Sequence, residues 1–333
     1  MNKAVMIIAL LLAGCATGTR ESVPDWLDGR SAQYPEARYL LGQGQAPSAA
    51  QARDRARAEL AKVFTTEVSE RSEDVARAEL SSEDGVARQR SESTAERRVH
   101  TQTQRVLEGV RIAEVWRDEA GDYHALAVLD RVSEGQRLRN AIAALDRAIA
   151  RAIARARSEE PLLVRIGAAA RAVGAQTQRD TLQQDLRVLD VTGIGVPAQH
   201  GRARLQADFA ELAGRLRIAA QTEADPFGNL VTVVQGAVRH AGFVNASVDR
   251  ADYRLVTNLA LETSAADGWQ WATGTLELRM LDASGTVAGS ARFPVKASAR
   301  DAALARQRLL VEVDRLLRAR LRDTVIGFGE GGV

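Results

Sequence analysis

An α+β fold built from two small β-α-β-β-α domains, each an antiparallel sheet packed by helices, is the architecture the sequence predicts. Three observations carry that expectation. Apolar residues alternate in several runs of strand length, as from Tyr253 through Leu255, Thr257 and Leu259 to Leu261. Tight turn signals such as Asp118-Glu-Ala-Gly121 and Asp267-Gly268 join such runs into hairpins. Ser-x-x-Gln boxes and an apolar stripe at helical spacing open long helices between them. The order recurs in the second half without obvious sequence identity, so duplication and convergence on a common sandwich both remain open.

The elements follow in order. Arg38 to Gly44 reads as a buried strand closed by glycines that relieve a turn. Ser48-Ala-Ala-Gln51 caps a helix with Ala49, Ala52, Ala56, Leu60 and Val63 on one face. Ser69 to Arg98 is dense in Ser, Glu and Arg and predicts the charged end of that helix and then a mobile loop. Val99 to Trp116 and Tyr123 to Leu129 form a hairpin. Ser133-Glu-Gly-Gln136 opens a helix carrying Leu138, Ile142, Leu145, Ile149 and Ile153.

In the second half, Arg215 to Ala220 is a short strand. Asn229 to His240 is a helix with Val231, Val234 and Val238 inside and Gly242 past its end. Strands follow over Tyr253 to Leu261, Trp269 to Leu281 and Thr286 to Val295. A last helix places Ala302, Ala305, Leu309, Val313, Leu316 and Leu317 on one side.

The beginning of the chain reads differently. Met-Asn-Lys precedes an apolar run from Ala4 to Ala13, then Gly14 and Cys15. One cation, about ten apolar residues and small residues before a break make a secretory signal. The run is too short to span a bilayer, which needs about 20 residues. Leu12-Ala13-Gly14-Cys15 resembles the bacterial lipobox, in which the cysteine thiol takes a lipid and the signal is cut just before it. Cys15 is the only cysteine. An ordinary signal peptide cut near a chance cysteine is the alternative. Expected divisions are therefore 1–14 as signal peptide, 15–23 as lipidated cysteine and tether, 24–158 as first domain, 159–200 as a connector that mixes a helix with a Gly-rich, Pro-containing stretch, and 201–333 as second domain.

Composition narrows the function classes. Lys3 leaves with the signal, so the 45 basic residues become 44 against 43 acidic ones. A charge near zero gives no reason to expect a nucleic-acid partner. A lipidated Cys15 leaves no thiol for a disulfide or for thiol catalysis. Gly42-x-Gly44 precedes a helix, but Pro47 stands where a dinucleotide loop needs glycine, so no cofactor is expected. Gly193-x-Gly195 is followed by Val-Pro and reads as loop. His100, His124, His200 and His240 stand singly, without metal-ligand spacing, so no metal is expected. No Gly-x-Ser-x-Gly elbow appears. No catalytic residue is assigned, and the protein is expected not to be an enzyme.

Cys15, Pro24-x-Trp26, Tyr39 to Gly44, the alanine-rich helix from Ser48 and the hairpin Val110 to Arg131 together resemble the Lpp-twenty lipoprotein family of outer-membrane proteins. That hairpin ends in Ala-Val-Leu-Asp-Arg. The resemblance spans about Pro24 to Arg131. It implies a lipid-anchored protein, in some members linked to cell-surface or flagellar assemblies. Of the functional residues it carries over Cys15 alone. The insert around Ser81 to Glu96 and the second half lie outside it.

Four tryptophans complete the candidates. Trp26 near the tether is expected to pack against the first domain, with a membrane-interface role as the alternative. Trp116 is expected at the edge of the core. Trp269 and Trp271 share a strand face beside a tight turn and form the candidate partner surface, with ordinary core packing as the alternative. Phe243 and Tyr253 are the other large groups weighed for it. The expectation is a lipid-anchored protein of the outer membrane facing the periplasm, tied to membrane lipid through Cys15. It would bind or scaffold an envelope protein or peptidoglycan. Alternatives are a regulator of a peptidoglycan-synthesising or other envelope enzyme, a flagellar or surface-assembly accessory, and an enzyme acting on envelope polymers.

Overall fold

A computed structural model describes residues 23–80 and 109–331. Cys15, the signal, the tether, His100 and the insert around Ser81 to Glu96 lie outside the described residues. The chain divides into two compact units between Glu134 and Gly135.

In the first unit, a 3-10 turn at Asp25–Asp28 precedes β1 (Tyr39–Ala46), α1 (Ala49–Leu80), β2 (Arg111–Arg117) and β3 (Tyr123–Asp130). The sheet order is β1-β3-β2, with both pairs antiparallel. As the central strand, β3 buries Ala125 through Leu129 at 1% exposure or less. Buried on both faces, it reads as a continuous apolar run rather than an alternating one. The α1 line Ala52, Ala56, Leu60, Phe64 and Val68 is buried. The strict four-residue spacing takes in Phe64 and leaves Val63 at the margin, a shift of one from the expected face.

Ser48 caps α1 as expected, its Oγ accepting from the Gln51 amide at 3.4 Å. The glycines of β1 do something other than relieve a turn. A Cβ on Gly42 would collide with the backbone of Ala56 and Leu60, and one on Gly44 with that of Ala52 and Ala56. They let β1 and α1 touch backbone to backbone.

Helix α2 (Arg131–Ala156) starts two residues before the Ser133 box. Asp130 is the cap in its place: its Oδ1 accepts from Val132 at 2.9 Å and Ser133 at 3.2 Å. Arg38 donates to the other carboxylate oxygen at 2.9 Å and so ties the starts of β1 and α2 together.

The second unit continues with α3 (Leu162–Leu189), α4 (Arg202–Ala213), β4 (Arg217–Ala224), α5 (Leu230–His240), β5 (Val244–Asn245), β6 (Tyr253–Ala266), β7 (Trp269–Leu281), β8 (Val287–Ala299) and α6 (Ala302–Gly329). The sheet order is β5-β4-β6-β7-β8. This sheet is mixed, not antiparallel as expected: β4 runs parallel to both β5 and β6. The reason is topological. The connection from β4 to its neighbours passes through α5, and a helix returns the chain to the same end of the sheet. Helices α5 and α6 cover one face. On α6 the buried line runs Ala305, Leu309, Val313, Leu317, Leu321 and Val325.

The helix expected within the stretch 159–200 is the 28-residue α3, and its Leu163 and Ile166 join the main core of this unit. Gly167 and Gly329 meet where α3 crosses α6, with no room for a Cβ on either. Along the C-terminal half of α3, a line of buried polar residues holds the loop that follows. Arg179, 1% exposed, donates to Asp146 at 2.6 Å and to the carbonyls of Val196 and Pro197 at 3.1 and 2.9 Å. Gln183 donates to the Ile194 carbonyl and accepts from the Val196 amide, each at 3.0 Å.

Candidate partner surface

The three long strands of the second sheet run well past turn to turn: 14, 13 and 13 residues in β6, β7 and β8. Alternation gives them two distinct faces. On β7, Ala272, Leu276, Leu278 and Met280 point into the core at 0% exposure. Trp269, Trp271, Thr273, Thr275, Glu277 and Arg279 take the other face. Asp267 and Gly268 both have positive φ, 50° and 73°, as a type I′ hairpin turn requires. This turn fixes the register so that Trp269 stands opposite Ala266 and Trp271 opposite Ser264.

Trp269 is 37% exposed and Trp271 half-buried, and neither belongs to the core clusters. Each carries a cation from beyond β7. The Lys296 ammonium lies 4.1 Å from the Trp271 ring centre, and the Arg300 guanidinium 4.4 Å from that of Trp269. Arg300 also reaches the Gly268 carbonyl at 3.4 Å. Farther along the same face the charges neutralise each other: Arg292 pairs with Glu277 at 3.2 Å, and Arg279 pairs with Glu223. Phe243 and Tyr253, weighed with the tryptophans from sequence, are core residues at 4% and 8% exposure.

Trp26 is buried at 1% exposure and packs with Tyr34, Leu126 and Val128. Its indole Nε1 donates to Glu114 at 2.7 Å, and Gln43 donates to its carbonyl. The packing expectation therefore holds over the membrane-interface one. Trp116 sits at the margin of the same cluster, beside the His124 ring.

The shifted carboxylates belong to turns, caps and ion pairs such as Glu312 with Arg315. The hydrogen bond from His124 holds the Asp118 carboxyl below its ordinary range, helped by the Asp122 amide. Turn hydrogen bonds from Ser284 and Thr286 do the same for Asp282. At Asp252, burial pushes upward and is outweighed by hydrogen bonds from Arg217. Among the described residues, no three of His, Cys, Asp and Glu are grouped as metal ligands, and no helix is long and apolar enough to cross a membrane.

The likeness to known proteins lies in the segment that holds Trp26, the Gly42-x-Gly44 contact and the hairpin ending at Asp130. Residues 24–130 match the family described as LPP20 lipoprotein. No curated protein matches the chain. Among solved structures, a minor lipoprotein from Acinetobacter baumannii aligns over 33% of this chain and 90% of its own. Identity there is 13% and the TM-score 0.28. A secreted protein from Helicobacter pylori aligns over 85% of this chain and 98% of its own, at 11% identity and a TM-score of 0.43. A lipoprotein from Neisseria meningitidis aligns over 30% and 97%, at 13% identity and 0.22. The LPP20 match ends where β3 ends. The second unit, with Trp269 and Trp271, lies beyond it.

What the sequence missed are Lys296 and Arg300 on the indoles and the buried Arg179. A signal for Arg179 existed: Gln176, Arg179 and Gln183 recur at helical spacing on one face of α3.

Proposed function

We propose that this protein is an envelope lipoprotein, lipid-anchored through Cys15 in the outer membrane and facing the periplasm. It works there by binding or scaffolding, not by catalysis. One observation carries the reading. A segment matching the LPP20 lipoprotein family begins nine residues after a cysteine that closes a lipobox-like signal. The second unit supplies the partner surface, because its exposed Trp269 is a large apolar anchor of the kind binding faces use.

Fractionation of Cys15→Ser tests the anchor. Each buried CH₂ contributes about 0.8 kcal/mol, and one acyl chain alone holds only marginally, so loss of every chain on Cys15 releases the protein. The variant is expected in the soluble fraction. Retention on membranes after a high-salt wash would overturn the anchor. Ala16, not aspartate, follows the cysteine, which favours outer-membrane sorting. Recovery of the native protein only at inner-membrane density would refute that assignment.

A further inference from the structure

The open face of the second sheet ends, beside the β6–β7 turn, in two indoles and two cations. We propose that this patch binds an acidic polysaccharide, its carboxylates on Lys296 and Arg300 and its sugar rings against the indole surface of Trp269 and Trp271 that the two cations leave uncovered. The inference rests on the reading of the protein as a binding protein and names the chemistry of its partner.

Exposure comes first. Residues 262–266 of β6 are exposed one after another, on both faces of the strand, so this end of the hairpin projects past its core. Trp269 lies directly across from Ala266 in that projecting part. An indole left there has apolar surface to lose on binding.

Charge comes second. Among the described residues, no carboxylate lies within ion-pair distance of Lys296 or Arg300, whereas Arg279 and Arg292 on the same face are each paired. Glu262 faces the same side one strand away, opposite Thr273, and Asp267 occupies the turn; neither forms an ion pair with the two cations. The indoles hold the cations in place, so little side-chain freedom is lost when an anion arrives. Arginine meets a carboxylate with two parallel donors, and the ammonium adds a point charge beside it.

The neighbours decide between a sugar and a lipid surface. The turn carries Ser264, Ala265, Ala266, Asp267 and Gly268. None is a large apolar group able to enter an acyl layer, and Asp267 would meet anionic headgroups with like charge. Ser264 and Ser298 stand opposite Trp271, and Thr273 follows two residues on. Hydroxyls at strand spacing around two flat rings suit a chain of pyranoses, whose apolar faces stack while their rims hydrogen-bond.

The test uses the full lipidated chain in detergent and polygalacturonate as probe. Dextran is the neutral control. Polyglutamate and phosphatidylglycerol vesicles are the competing sources of negative charge. The native protein is expected to bind polygalacturonate, to weaken as salt rises, and to leave dextran unbound. Trp269→Ala and the double change Lys296→Gln with Arg300→Gln should each weaken binding at least about tenfold, since each removes a contact worth about 1.4 kcal/mol or more. Both sets of changes lie at exposed or half-exposed sites, and an unchanged melting temperature will show the fold intact. Absence of polygalacturonate binding, equal or stronger binding to polyglutamate or vesicles, or binding unmoved by either variant would each overturn the proposal. The anchor reading is scored separately by the Cys15→Ser fractionation, so either can fail alone.

Discussion

Trp26 and Trp269 are the same residue type put to opposite uses by the two sheets. The first sheet has three strands, and both faces of its centre are covered, α1 on one side and the 3-10 turn with Trp26 on the other. Trp26 gives up water on every side and has its one polar atom satisfied by Glu114. The second sheet has five strands and helices over one face, and Trp269 stands on the other with a cation on its ring. An indole in a closed sheet holds the fold. On an open sheet it remains available to something else.

The largest effect that could break this comparison is the loss of Trp26. Trp26→Ala should cost about 3–5 kcal/mol, as for other large aromatic groups cut from a core, and it also orphans Glu114. Trp269→Ala should cost under about 1 kcal/mol in the same urea titration. Similar costs for the two would mean that Trp269 is core and that the open face is not open.

Gly44 tests the closed sheet from its other side. Gly44→Ala places a methyl against the backbone of α1, with no flexible side chain to give way. The expected cost is about 1–3 kcal/mol, read as a lower denaturant midpoint. A neutral result would mean that β1 and α1 can separate without loss.

The smallest effect concerns Asp130. Burial pushes its pKa upward, but the Ser133 and Val132 amides and Arg38 outweigh that and leave it lowered. Its contribution is therefore complete above the unfolded carboxylate value, about 3.9, and is lost as pH falls through the lower folded value. Asp130→Asn keeps the shape and a capping oxygen, so what it removes near neutral pH is the charge facing Arg38 and the helix N-terminus, about 0.3–1 kcal/mol. The gap between native and variant stability should close below about pH 4. Equal stability of the two at every pH would show that shape alone caps α2.

How much of this was legible depends on whether the signal is local. Asp118 to Gly121 and Asp267-Gly268 were readable because turn chemistry is set by two to four residues. The Ser48 cap was readable for the same reason. Asp130 was overlooked because it ends a strand and starts a helix at once, and the Ser133 box two residues on looked complete. A helix within 160–200 is legible, but its place in a core is not, because its buried line passes through Gln176, Arg179 and Gln183, which hydrophobic periodicity counts as surface. The parallel pairing of β4 with β6 depends on partners about 35 residues apart, as in Ile218 with Tyr253. At the candidate surface, alternation placed Trp269 and Trp271 on one face, but Lys296 and Arg300 reach them only through the β7–β8 register.

The clamp on residues 190–200 has a practical side. Arg179 and Gln183 grip the loop from behind through three of its carbonyls and an amide, while Val191 and Ile194 face outward at 87% and 66% exposure. Cys15 is the only thiol in the chain and is consumed by lipid in the proposed mature form. A cysteine introduced at Val191 would then be a unique handle for a fluorophore, on backbone that tumbles with its unit. Its anisotropy would report rotation of the second unit on the membrane, with little contribution from wagging of the loop itself.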